Sequence, residues 1–297
     1  NRVAWQIGTR TQVKRIYAWM PMLAWELPSS NSAANDKVVT LQIDQKHLNM
    51  GYPRLSPFSP RARKVIREIY EDLAKSVVID GILFHDDVTL SDYEDDSVMT
   101  RAQYKKWGLK ASVGEIRSNH SDFLRWTKLK TEYLDDFAME LAQIVRNYRP
   151  GLMTARNLYA QVALNKDAQE WYAQSLSDSI KKYDYTAIMA MPYMEQVDDA
   201  GAFYERLVSN VKSEACGLER TVFELQTVNW RKNNEPVPSQ ELSLTIQLLY
   251  DLGANHIAYY PDDLFRNSPD ADSMKRDFAK KPVRMFPFNP GSILPNK

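Results

Sequence analysis

Short apolar runs alternate with amphipathic helices along this chain, and that alternation restricts the fold more than any other feature of the sequence. Strand-like runs begin at Arg15, Gly81, Leu152, Tyr185, Thr221 and His256. The first five are followed by helical stretches, over 60–75, 112–147, 168–183, 202–212 and 240–252, and a further helix over 3–11 precedes them all. Val65, Ile66, Ile69 and Leu73 form the apolar stripe of the 60–75 helix, and Phe123, Trp126, Leu129, Tyr133, Phe137, Leu141 and Ile144 that of the longest one. Gly253 stands where a helix over 240–252 needs its C-cap. Strict strand-helix alternation is the pattern of a parallel sheet, and a closed (β/α)8 barrel has eight such units. The expectation is an α/β, TIM-like barrel over residues 1–281, with about two βα units missing upstream of Asn1, and a proline-rich tail over 282–297. A doubly wound sheet is the alternative, but no Gly-rich phosphate loop opens any of these helices.

Bulk composition narrows the function by exclusion. Lys and Arg total 38 and Asp and Glu total 38, so the chain has no basic field to hold nucleic acid. No apolar run is long enough to cross a membrane. Cys216 is the single cysteine, which excludes an internal disulfide framework and a cysteine-rich metal site. The 7 Trp and 16 Tyr matter where they fall at strand tips, because a flat apolar face with a polar edge suits stacking on sugar rings.

Chemistry concentrates at those tips. The run Gly81-Ile82-Leu83-Phe84 passes without a Gly or Pro turn into His85-Asp86-Asp87. Other tips carry Trp19 and Trp25, then Arg156, Asn157 and Tyr159, then Tyr193 and Glu195, then Glu224, Gln226, Asn229 and Trp230, then Tyr259, Tyr260, Asp262 and Asp263. Carboxylates flanked by aromatic faces and amides are what a sugar-cleaving cleft needs: one acid protonates the leaving oxygen while a second group stabilises the positive anomeric centre. Competing roles exist. Glu224 in an apolar strand also suits a salt bridge across the barrel, and His256 suits a structural place. A metal site built from His85, Asp86 and Asp87 is disfavoured if the strand continues, since alternation would set Asp86 opposite the other two. No zinc spacing and no G-x-S-x-G elbow is present.

Longer motifs carry a resemblance. Tyr17-Ala18-Trp19-Met20-Pro21, Arg54-Leu55-Ser56-Pro57-Phe58, Gly81 to Asp87, Ser91-Asp92-Tyr93-Glu94-Asp95, Thr154-Ala155-Arg156-Asn157, Ala187 to Tyr193, Glu224-Leu225-Gln226 and Tyr260-Pro261-Asp262 occur in order. Together they resemble the C-terminal domain of PgaB-type poly-β-1,6-N-acetyl-D-glucosamine N-deacetylases of biofilm-forming Gram-negative bacteria. The resemblance implies a (β/α)8 domain that binds partly deacetylated poly-N-acetylglucosamine and hydrolyses it as a family 153 glycoside hydrolase. It also implies a periplasmic place, outer-membrane anchoring through an N-terminal region outside this chain, an export porin as partner, and no cofactor in this domain. The metal-dependent deacetylase domain has no counterpart here. By position, Asp86 resembles the essential acid, and Tyr52, Trp171 and Trp230 resemble residues that line the groove. The strand-tip argument adds Glu224 as a second catalytic group and His85, Asp87, Tyr193, Glu195 and Tyr260 as substrate contacts. Residues 29–46 and those after Asp263 depart from the family pattern, which bears on groove length. Balanced charge and the lack of a heptad pattern suggest a monomer. The alternative function is a binding module that guides polymer without cutting it.

Overall fold

A computed structural model describes residues 2–41 and 52–280. Six parallel strands form one sheet in chain order: β1 (Tyr17–Met20), β2 (Gly81–Phe84), β3 (Met153–Tyr159), β4 (Tyr185–Met189), β5 (Thr221–Gln226) and β6 (His256–Tyr260). The sheet curls into a half-barrel, so that the Trp19 ring on the first strand lies 4.8 Å from the Tyr260 ring on the last. Pairing sets the inward row: Leu83 lies beside Ala155, Asn157 beside Ala187, and Glu224 between Met189 and Ala258. Close packing inside the curl requires Gly81, where a Cβ would collide with the Tyr17 ring. Three alanines in the inward rows leave a hollow of about 300 Å³ with Glu224 in its lining.

Helices cover the convex side. The first long one, Pro60–Ser76, is started by proline at its first turn and by the Ser59 hydroxyl, which accepts from the Ala62 N–H. Its buried stripe is Ala62, Ile66, Tyr70 and Ala74. Val65, Ile69 and Leu73, expected to be central, are only half-buried at the edge. The stripe carries its bulky residues, Ile66 and Tyr70, at its centre and alanines at its two ends. The 27-residue helix His120–Arg146 buries Trp126, Phe137 and Leu141 as expected, with Phe123, Leu129, Tyr133 and Ile144 packed at the margin. Residues 168–183, read as one helix, are two: Ala168–Tyr172 and Leu176–Lys182. The break has a cause. Ala173 adopts φ 48°, the Tyr172 carbonyl is taken by the Leu90 N–H and the Thr89 hydroxyl, and Ser175 caps the next helix. Likewise β4 ends at Met189, and Pro192 opens a one-turn helix, Pro192–Glu195. Gly253 closes Ser239–Leu252 at φ 113°, as the sequence predicts. The expected tail over 282–297 lies outside the described residues.

Candidate active site at the strand tips

Every parallel strand points its C-terminal end to the same side, and a cavity of about 410 Å³ opens there. It is lined by Trp19, Tyr52, His85, Asp86, Asn157, Met189, Met191, Met194, Glu224, Trp230 and Tyr260. Of the ten residues named from sequence, six meet in this wall: Asp86, Glu224, Tyr52, His85, Trp230 and Tyr260.

The tip of β2 differs from the expected alternation because the strand stops at Phe84 and the chain turns. His85 Nδ1 therefore reaches both carboxylates, at 2.7 Å from Asp86 and 3.4 Å from Asp87. Burial alone lowers the His85 pKa, but hydrogen bonds and charge from Asp86 and then Asp87 outweigh it and raise it to about 9. Asp86 is 8% exposed and faces the cavity, where its Oδ2 accepts from the Tyr159 hydroxyl at 3.3 Å. Asp87 is fully buried behind it, and its Oδ2 accepts from the N–H groups of Met22, Leu23 and Ala24 at 3.0, 2.6 and 2.5 Å. That is a correction: Asp87 ties the loop after β1 to the tip of β2 and does not line the cavity.

Glu224 lies across from β2, half-buried on β5. Its pKa is raised to about 7, first by burial and then by the nearby Asp86 charge, against the lowering effect of Asn157 and His85. No Lys or Arg pairs with it among the described residues, so the competing salt-bridge role is not the one it takes. Asn157 is buried and oriented from both ends. Its Nδ2 donates to Glu224 at 2.8 Å, and its Oδ1 accepts from the Trp19 indole N–H at 3.0 Å. Aromatic rings frame the acids: Trp19 and Tyr52 lie 4.6 and 5.3 Å from the His85 ring, and Trp230 lies 6.3 Å from Tyr260 in a near-parallel stack. Trp19, Tyr52, Trp230 and Tyr260 are between 37% and 47% exposed, so their faces remain open to a ligand.

Three further sequence candidates fall outside this lining. Tyr193 turns away and donates its hydroxyl to Glu241 at 2.6 Å, while its N–H is held by Gln226. Glu195 accepts from Gln161 at 2.6 Å, and burial raises its pKa. Trp171 is 41% exposed on Ala168–Tyr172, next to Tyr172, whose ring stacks on Tyr159 at 4.5 Å. Strand-tip position alone does not separate inward from outward side chains once the strand has ended. Conversely, Trp19 and Asn157 are at strand tips in the sequence but were not among the site residues expected from it, and neither were Met189, Met191 and Met194. The available signal for Met189 was its place in the inward row Tyr185, Ala187, Met189. Among the described residues, no group of three or more His, Cys, Asp or Glu is arranged to hold a metal ion.

Comparison with known proteins places the chain in a family. The model of the family described as "Hypothetical glycosyl hydrolase family 13" matches residues 1–260. The poly-beta-1,6-N-acetyl-D-glucosamine N-deacetylase of Escherichia coli K12 is 39% identical over 284 residues, 94% of this chain. The chain spans 42% of the length of that relative. The solved glycoside hydrolase domain of PgaB (BpsB) from Bordetella bronchiseptica is 41% identical and superposes with a TM-score of 0.89, covering 96% of this chain and 80% of that one. A β-galactosidase from Rahnella sp. R3, at 12% identity and a TM-score of 0.58 over 82% of this chain and 40% of its own, shares the fold. The chain thus belongs to the hypothetical glycosyl hydrolase family 13, in the company of the PgaB-type glycoside hydrolase domains.

Proposed function

We propose that the chain is an endo-acting glycoside hydrolase on partly deacetylated poly-β-1,6-N-acetyl-D-glucosamine, with Asp86 and Glu224 as its catalytic pair. The observation that carries this reading is that two carboxyl groups from different strands share one cavity between open aromatic faces. Their surroundings differ. Glu224, with its pKa raised to about 7, retains a proton near neutrality and suits the donor to the leaving glycosidic oxygen. Asp86, set against His85 and the Tyr159 hydroxyl, suits the group that faces the developing positive charge at the anomeric carbon. The family resemblance alone assigned the acid to Asp86, and the cavity supports giving the proton-donor role to Glu224. Trp19, Tyr52, Trp230 and Tyr260 would hold sugar rings by stacking, and the acidic tips would attract free ammonium groups of the polymer.

In the same reading the chain works in the periplasm on polymer bound for an export porin, as part of a longer, outer-membrane-anchored polypeptide that also deacetylates. Further βα units of that polypeptide would close the sheet between β6 and β1. Mass spectrometry of partly deacetylated β-1,6-glucosamine polymer after incubation with the chain tests the activity. Short oligomers, absent with Asp86→Asn and with Glu224→Gln, are expected. Polymer that is bound by wild-type chain yet left intact would make the cleft a guide for export.

A further inference from the structure

Trp19, Asn157 and Glu224 come from β1, β3 and β5, alternate strands of the kind that fill one layer of a barrel interior. Two hydrogen bonds link them in series. The Trp19 indole N–H donates to Asn157 Oδ1 at 3.0 Å, and Asn157 Nδ2 donates to Glu224 Oε2 at 2.8 Å. An indole N–H is a donor only, so it faces the amide oxygen and never the amide nitrogen. Without that partner, an Asn side chain meets a carboxyl group with either end. With it, Asn157 offers Glu224 a donor in both protonation states. Oε2 is then the accepting oxygen throughout, and a proton on Glu224 falls to Oε1. Asn157 is 1% exposed, so protein groups rather than bulk water set its orientation. The indole is itself held on two sides, by the His85 ring at 4.6 Å and the Tyr260 ring at 4.8 Å.

We propose that Trp19 is a positioning residue for the reaction, which fixes the Asn157 amide and thereby directs the Glu224 proton to Oε1. This is separate from lending its face to a sugar ring. The use of that proton rests on the proposed hydrolase reading, whereas the relay itself does not. Other groups act on Glu224 without passing through Asn157. From the tip of β2, the Asp86 charge raises its pKa and His85 lowers it. Tyr52 and Tyr260 line the same cavity, and Arg15, Tyr17, Tyr185 and His256 line the hollow that Glu224 also borders. All of these remain when only the indole N–H is removed.

NMR of the full chain carrying ¹³C-carboxyl glutamate reads the Glu224 titration midpoint, its signal assigned by loss in Glu224→Gln. Trp19→Phe keeps a stacking ring and removes the N–H. The amide is then less polarised and free to turn its oxygen toward a protonated Glu224, and both effects favour the neutral acid. The midpoint should rise from about 7 by about 0.5–1 pH unit, the worth of one hydrogen bond. A ring that only fills space predicts the opposite sign, because a smaller ring admits water and favours the charged form. Trp19→Phe combined with Asn157→Ala should match Asn157→Ala alone, since the indole then has nothing to act through. In wild-type chain carrying ¹⁵N-indole tryptophan, the Trp19 signal should titrate with Glu224 near 7, apart from any response to His85 near 9. An unmoved or lowered midpoint in Trp19→Phe overturns the proposal, as does a Trp19 signal that does not respond near 7. So does a double variant whose shift is the sum of the two single ones. Polymer left intact by wild-type chain, with these titrations as expected, would instead count against the hydrolase reading and leave the relay standing.

Discussion

Two regions of this molecule hold charged groups away from water in opposite ways. Behind the loop that follows β2, Arg54 and Glu94 form an ion pair at 2.8 Å with both side chains nearly inaccessible. Glu94 also accepts from the Thr40 hydroxyl at 2.7 Å and the Ser91 N–H at 3.1 Å. Burial works to raise its pKa, but Arg54, Thr40 and Ser91 together hold it below the usual carboxylate range. Beside it, the fully buried Lys130 donates to the Ser91 and Glu94 carbonyls at 2.5 and 3.0 Å and lies over the Trp126 ring; burial brings its pKa down to about 7. In the cavity, Glu224 has, among the described residues, one amide donor, no Lys or Arg, and a second carboxylate as neighbour. The first region gives its carboxylate a cation and becomes scaffold. The second withholds the partner and keeps a proton available for chemistry.

The sharpest break of that comparison is Glu224→Gln. Removing the proton donor should lower cleavage by about 10³-fold, roughly 4 kcal/mol of barrier. The same change should leave the chain more stable above pH 7. A carboxyl whose folded pKa of about 7 exceeds its unfolded value opposes folding once pH rises past the unfolded value, and fully so above 7. Urea denaturation at pH 5 and pH 8 measures this, and a variant less stable at pH 8 than wild type would place Glu224 with the scaffold.

Arg54→Met addresses the other region. It strands Glu94 without its cation, so a loss of about 3–5 kcal/mol in unfolding free energy is expected by denaturant titration. A loss under about 1 kcal/mol would mean that Thr40 and the Ser91 N–H suffice for Glu94. A smaller effect separates positioning from stability within the cavity. Asn157→Ala removes the single donor that lowers Glu224, so the alkaline limb of the pH–rate profile should move upward from about 7. An unmoved limb would assign that limb to another group. The smallest expected effect is that of Trp230→Ala at the cavity mouth. A lost stacking face of about 1 kcal/mol should raise KM about fivefold with little change in kcat. A fall in kcat instead would mean that this ring acts on the transition state.

Sequence alone determined the parallel sheet, the order of its six strands, the helix starts at Pro60 and the stop at Gly253, because periodicity and capping are local properties of the chain. It also determined that His85, Asp86 and Glu224 sit at strand tips. Only the tertiary structure decided which neighbours at a tip work together. Asp86 and Asp87 are adjacent and chemically identical, yet one faces the cavity and the other is spent on backbone N–H groups 63 to 65 residues away. Tyr193 and Glu195 turn outward because Glu241 and Gln161 receive them, while Met191 and Met194 between and beside them turn in. Beyond the last paired residue of a strand the alternation rule no longer holds. Side-chain direction there is set by contacts between segments distant in sequence, and these contacts arise only when the strands have assembled.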